Sequence, residues 1–167
     1  MNMGTGKAET VRLLREKGAR FDIITNSGFS VLVAACANED SDPNVVKDIL
    51  QDLENDDNVK VNYRVQSSTI KWKILRGSAK LMMRVGAAKS ALFRRIARGA
   101  GLTALHYAVR RGDLEVVKLL LRHGADPYVQ NDLGMDAFKV CMEYGPFPKI
   151  HKAMWNSNCT SSDEGVG

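Results

Sequence analysis

Between Gly101 and Asp132 the apolar positions fall into two short blocks divided by a glycine. Thr103-Ala-Leu-His-Tyr-Ala-Val109 is mostly apolar and predicts a short first helix, which Gly112 ends. Leu114, Val116, Val117, Leu120 and Leu121 then recur at helical spacing and predict a second helix with one apolar face. His123-Gly124 closes it, with Gly where a left-handed residue follows a helix. Residues 125–132 are turn-prone and partly extended, a finger leaving the helix pair. So small a pair cannot bury its apolar face alone and has to stack on others like it.

The same pattern returns along the chain. Glu9 to Leu14, with Lys17-Gly18-Ala19, parallels Glu115 to Leu120 with His123-Gly124-Ala125, so residues 1–26 read as the second half of a repeat. The first helix of that half is not in the sequence, which favours a piece of a longer protein over a domain opening on a bare helix. Residues 27–62 read as a second repeat: Gly28-Phe-Ser30-Val31-Leu32-Val33-Ala34-Ala35 opens it, and Val45-Val46 with Ile49-Leu50 repeats Val116-Val117 with Leu120-Leu121. Asp42-Pro43 is a helix start with Pro at the first position. Residues 133–155 form a terminal cap repeat in which Asp136 and Lys139 replace the polar residues that would tie it to a successor. Pro148 begins a short helix through Ile150, Ala153, Met154 and Trp155, and the small polar residues 156–167 are expected to be disordered.

The series G-x-T-A-L-H-x-A-x-x-x-G-x-x-x-V-V-x-x-L-L-x-x-G-A-D at residues 101–126 resembles an ankyrin repeat, with Ala104 where that family usually has Pro. The resemblance implies an all-α solenoid of stacked helix-turn-helix units with β-turn fingers. It implies a binding scaffold, and a His106 that hydrogen-bonds backbone and ties neighbouring turns. It places Tyr107, Arg110 and Arg111 on the concave surface of the first helix, and Tyr and Arg are the residues that most often anchor interfaces. Asp126, Tyr128, Gln130 and Asp132 of the finger would extend that surface.

Residues 63–100 interrupt the pattern. They contain no tetrapeptide like Thr103-Ala-Leu-His106, and Gly99-Ala100 runs into Gly101 with no finger between, which favours an insertion at a finger tip over a decayed repeat. Ile70-Lys-Trp-Lys-Ile74 alternates like a short strand. Leu81, Val85, Ala88, Leu92 and Ile96 keep helical spacing, giving a basic amphipathic helix. The basic and apolar residues of this segment, among them Lys71, Trp72, Lys73, Lys80, Arg84, Arg94, Arg95 and Arg98, suit an anionic membrane surface or a calmodulin-like acidic protein. The alternatives are an insertion without a partner, or one folded onto the solenoid. Nucleic acid ranks last, since no helix-turn-helix, zinc finger or RNP-like motif is present.

Charge sharpens this picture. The net charge is +5, yet residues 64–98 carry ten Lys or Arg and no Asp or Glu, leaving −5 for the remainder. One segment supplies the whole positive excess. No apolar run approaches the ~18 residues of a membrane-spanning helix. Cys36, Cys141 and Cys159 are odd in number and scattered, which argues against a disulfide framework. With no secretory leader pattern, this suits the cytoplasm or the nucleus.

Catalytic chemistry finds little support. Gly4-Thr-Gly6-Lys7 fails as a phosphate loop because Ala8 stands where Ser or Thr is needed. Asp52, Glu54, Asp56 and Asp57 lack calcium-loop spacing and read as a solvated turn. His106 has no nucleophile or carboxylate partner in its motif. The reading is therefore non-catalytic, with no metal, cofactor or small-molecule substrate called for.

Overall fold

The computed structural model describes residues 5–38, 40, 42–53, 61–66, 74, 77, 78, 81 and 101–160. Among them lie seven helices longer than a turn: α1 (Thr5–Glu16), α2 (Val31–Ala37), α3 (Pro43–Leu53), α4 (Ala104–Arg111), α5 (Leu114–Arg122), α6 (Ala137–Tyr144) and α7 (Pro148–Thr160). The chain is all-α over these residues, with a single isolated bridge between Ile24 and Ser30.

Local chemistry sets the starts and stops. Ser30, Thr103 and Asp136 cap α2, α4 and α6 in the same register, each side chain accepting from the backbone N–H three residues on. Asp113 does the same for α5 at Val116. Gly112 ends α4 in the left-handed region at φ 76°, where a side chain would be strained.

The helices form two layers. α2 packs on α4 and α4 on α6; behind them α1 packs on α3, α3 on α5, and α5 on α7. Each inner helix also packs on the outer helix that follows it, α2 on α3, α4 on α5 and α6 on α7. Between the layers lie the residues predicted from periodicity: Leu32, Val46, Ile49, Leu105, Val117 and Leu120 are all at most 2% exposed. The free thiols of Cys36 and Cys141 are buried in the same core. The outer layer is tied at its first step by Arg12, which makes a forked pair with the buried Asp48 at 2.9 and 3.2 Å.

The fingers show one repeated turn. Thr25 N–H donates to the Phe29 carbonyl (2.9 Å) and Gly28 N–H to the Thr25 carbonyl (2.8 Å). Asn131, Gly134 and Met135 make the same two bonds at 2.9 and 3.1 Å. Val65, Gly101 and Leu102 make them again at 2.9 and 3.1 Å. In the first two turns a dipeptide fills the tip; in the third, residues 66–100 do. The direct packing of α2 on α4 and of α3 on α5 interposes no helix pair between these repeats.

Trp155 on the last helix is 58% exposed, with Ile150 and Met154 taking the buried face. One sequence expectation needs correction. Residues 156–160, expected to be disordered, are helical in their backbone, and Ser157 Oγ donates to the Met154 carbonyl; residues 161–167 lie outside the described residues. Small polar residues lower helix propensity without breaking the ladder, as only Gly or Pro would.

Candidate functional site

The inner helices α2, α4 and α6 lie side by side, and what they present begins at the cap of α4. Thr103 N–H can only donate, so His106 Nδ1 accepts it (3.1 Å), and Nε2–H donates to the Met135 carbonyl of the next finger at 3.2 Å. Thr103 Oγ1 lies 2.8 Å from Nδ1 and completes a capping box with histidine in the role usually held by Glu or Gln. His106 is 1% exposed, and burial lowers its pKa, since the charged ring would lose its hydration there. This histidine is a joint between repeats. Lys139, in the same register one repeat on, turns back instead: its ammonium donates to the Gly134 carbonyl of its own finger (3.0 Å) and pairs with Asp136.

The last turn of α4 carries two adjacent arginines with opposite roles. Arg111, expected on the open surface, is corrected to a structural tie. Its guanidinium donates to the Cys36 and Asn38 carbonyls at the end of α2 and lies 3.4 Å from Asp113. Its side chain is only 15% exposed. Those carbonyls are orphans of a helix terminus, which explains the inward turn. Tyr107 is corrected likewise: it is 5% exposed, its ring 5.9 Å from that of Phe29. Arg110 remains at the surface, half-buried, its guanidinium 4.8 Å from the Tyr107 ring centre and 5.9 Å from that of Tyr144. No described carboxylate lies within ion-pair distance of it.

The finger residues also divide. Asp132 pairs with Arg64 at 2.9 Å, across the junction where residues 66–100 leave and return. Asp126 accepts from Tyr128 N–H in a local turn (2.8 Å), while its own N–H donates to Asn62. The Tyr128 ring stands 5.5 Å from that of Phe138, which meets His151 edge-on at 5.2 Å, so this aromatic cluster covers the end of the stack. Gln130 is exposed. The structure thus brings Tyr107 and Arg110 together and spreads the finger residues elsewhere. The sequence reading missed Tyr144; its register in the worn repeat, one place before Gly145 as Arg111 is before Gly112, was the available signal.

Lys71, Trp72, Lys73, Lys80, Arg84, Arg94, Arg95 and Arg98 lie outside the described residues. Cys36 offers no reactive thiol, since burial pushes its pKa up to about 12. No cluster of three or more His, Cys, Asp or Glu with metal-holding geometry occurs among the described residues.

Two layers of helix pairs, joined by capped turns and closed by fingers, define a repeat protein built from stacked helix-turn-helix units. Residues 100–132 match the family described as Ankyrin repeat, so that stretch carries a unit of this kind. The chain is 49% identical over 39 residues to an ankyrin repeat protein of Acanthamoeba polyphaga mimivirus. That match covers 23% of this chain and 9% of the viral protein, so the chain spans only a small part of its relative's length. Ankyrin repeats in general mediate protein–protein contacts and are typically non-enzymatic.

Proposed function

We propose that this chain is a non-catalytic interaction module that binds a partner protein on its concave face, centred on Arg110 and Tyr144 where α4 meets α6. The observation that carries this reading is the half-buried guanidinium of Arg110, stacked against two rings and paired with no described carboxylate. A cation that has lost part of its hydration without gaining a charged partner is poised for an interface. Rigidity supports the reading: Arg111 and His106 fasten α4 to its neighbours on both sides, so a partner meets an ordered surface.

Ala34, exposed on α2 in register with Tyr107, supplies the test. Ala34→Arg places a bulky cation on the inner helices without touching the core. Affinity capture with the wild-type chain and with this variant, both of unchanged melting temperature, should differ by loss of the specific partner. Equal recovery would move the binding surface elsewhere.

A second reading has its own support in the segregation of charge. Ten Lys or Arg without an acid fall within residues 64–98, and the segment is anchored at one finger by the Val65, Gly101 and Leu102 bonds. In this reading the chain is an adaptor whose basic segment docks on an anionic membrane or a calmodulin-like acidic protein, while the stack binds its partner. Sedimentation with phosphatidylserine vesicles should fall on reversing Lys71, Lys73, Arg94, Arg95 and Arg98, and persist with neutral lipid only if charge is not the cause.

A further inference from the structure

Resting on the concave-face reading, we infer that the partner segment presents an Asp or Glu carboxylate to Arg110. The two arginines of α4 explain why this one is available. Arg111 is consumed by the Cys36 and Asn38 carbonyls and by Asp113, so it cannot turn outward without orphaning a helix end. Among the described residues Arg110 makes only ring contacts, to Tyr107 and Tyr144. These hold the guanidinium plane while leaving its N–H edge without a protein acceptor, and such a fork matches the two oxygens of a carboxylate.

The surroundings narrow the choice. On α2 the residues in register with Tyr107 and Arg110 are Ala34 and Ala37, which carry nothing beyond a Cβ and leave room beside the guanidinium. Tyr144, 39% exposed, adds an amphipathic wall on the α6 side. A segment lying across the inner helices would place its acid beside Arg110 and a neighbouring apolar residue against the Tyr144 ring.

The test is selection of a random twelve-residue peptide display library on the full chain. Selected peptides are then synthesised with each acid replaced by its amide and titrated by fluorescence anisotropy. A shared acid is expected, whose amide form binds the wild-type chain about tenfold or more weakly. The same replacement should change binding little on Arg110→Met, which keeps the stem and loses the charge, and Arg110→Lys should recover only part of the preference. Peptides that are lost on Ala34→Arg but indifferent to the amide replacement would overturn the carboxylate and leave the concave face standing. Peptides indifferent to Ala34→Arg, or no selected peptides at all, would overturn both.

Discussion

Two arginines adjacent in sequence separate cleanly by what they touch. Arg111→Ala leaves two carbonyls at the end of α2 without their donor and should cost about 1–3 kcal/mol in urea unfolding. Arg110→Ala, which loses ring contacts at a half-exposed site, should cost under about 1 kcal/mol. Equal costs would mean that the two side chains share one role. From sequence the pair was indistinguishable, because which way a side chain turns at a helix end depends on the unpaired carbonyls of a neighbour distant in the chain. The tie made by His106 was legible only through the resemblance of Thr103-Ala-Leu-His106 to the ankyrin motif. His106 also sets a pH dependence. Burial lowers its pKa below the unfolded value of 6.5, so below that pH the unfolded chain binds more protons. This histidine's contribution to stability is therefore intact above pH 6.5 and lost as pH falls below it. Urea midpoints at pH 7.5 and 5.5 should show a drop that shrinks in His106→Gln.

Elements repeat, and their repetition allows like to be compared with like. Leu14 of α1 and Leu120 of α5 hold the same register, yet one is 51% exposed and the other 0%: α5 packs on the inner helix α4, and no inner helix of α1 is among the described residues. Leu120→Ala should cost about 2–5 kcal/mol and Leu14→Ala under about 1 kcal/mol, measured by thermal or urea unfolding. Comparable losses would mean that the α1 face is covered. Glycines offer a second comparison. Gly101 and Gly124 share the left-handed region at φ 75° and 79°. A Cβ on Gly101 would lie 2.5 Å from Asp132 Oδ1 and 2.8 Å from Asp132 N, whereas one on Gly124 meets nothing within 4 Å. Gly101→Ala should therefore cost the ~1–2 kcal/mol of left-handed strain and a further clash, and Gly124→Ala the strain alone. The ends of α4 and α5 and the start of α3 were legible from Gly112, Gly124 and Asp42-Pro43, which act within a few positions. The extension of α7 to Thr160 was not, since polar composition resembles disorder when no breaker marks the end.

At the scale of the molecule, the missing tetrapeptide and the run of Gly99-Ala100 into Gly101 favoured an insertion over a decayed repeat, but the two bonds that set the stacking order across it have no local signal in the sequence. Those bonds join Val65 to Gly101 and Leu102 and complete the same turn that Thr25 and Asn131 make. Exchanging residues 66–100 for the Asn26-Ser27 dipeptide should leave the stack folded, with a single cooperative unfolding transition. Going from a dipeptide tip to the full segment is roughly four doublings at ~0.6 kcal/mol each, so the exchange should stabilise the chain by up to about 2.5 kcal/mol. A loss of stability would show that the segment packs on the stack. The feature has a use as well as an explanation. A turn that closes identically over two residues or over a long segment is a splice port: sequence can be exchanged there while the stack keeps its register. Natural variation could retarget such a protein by replacing what the port carries, and a protein engineer could mount an affinity tag or a reporter at the same place.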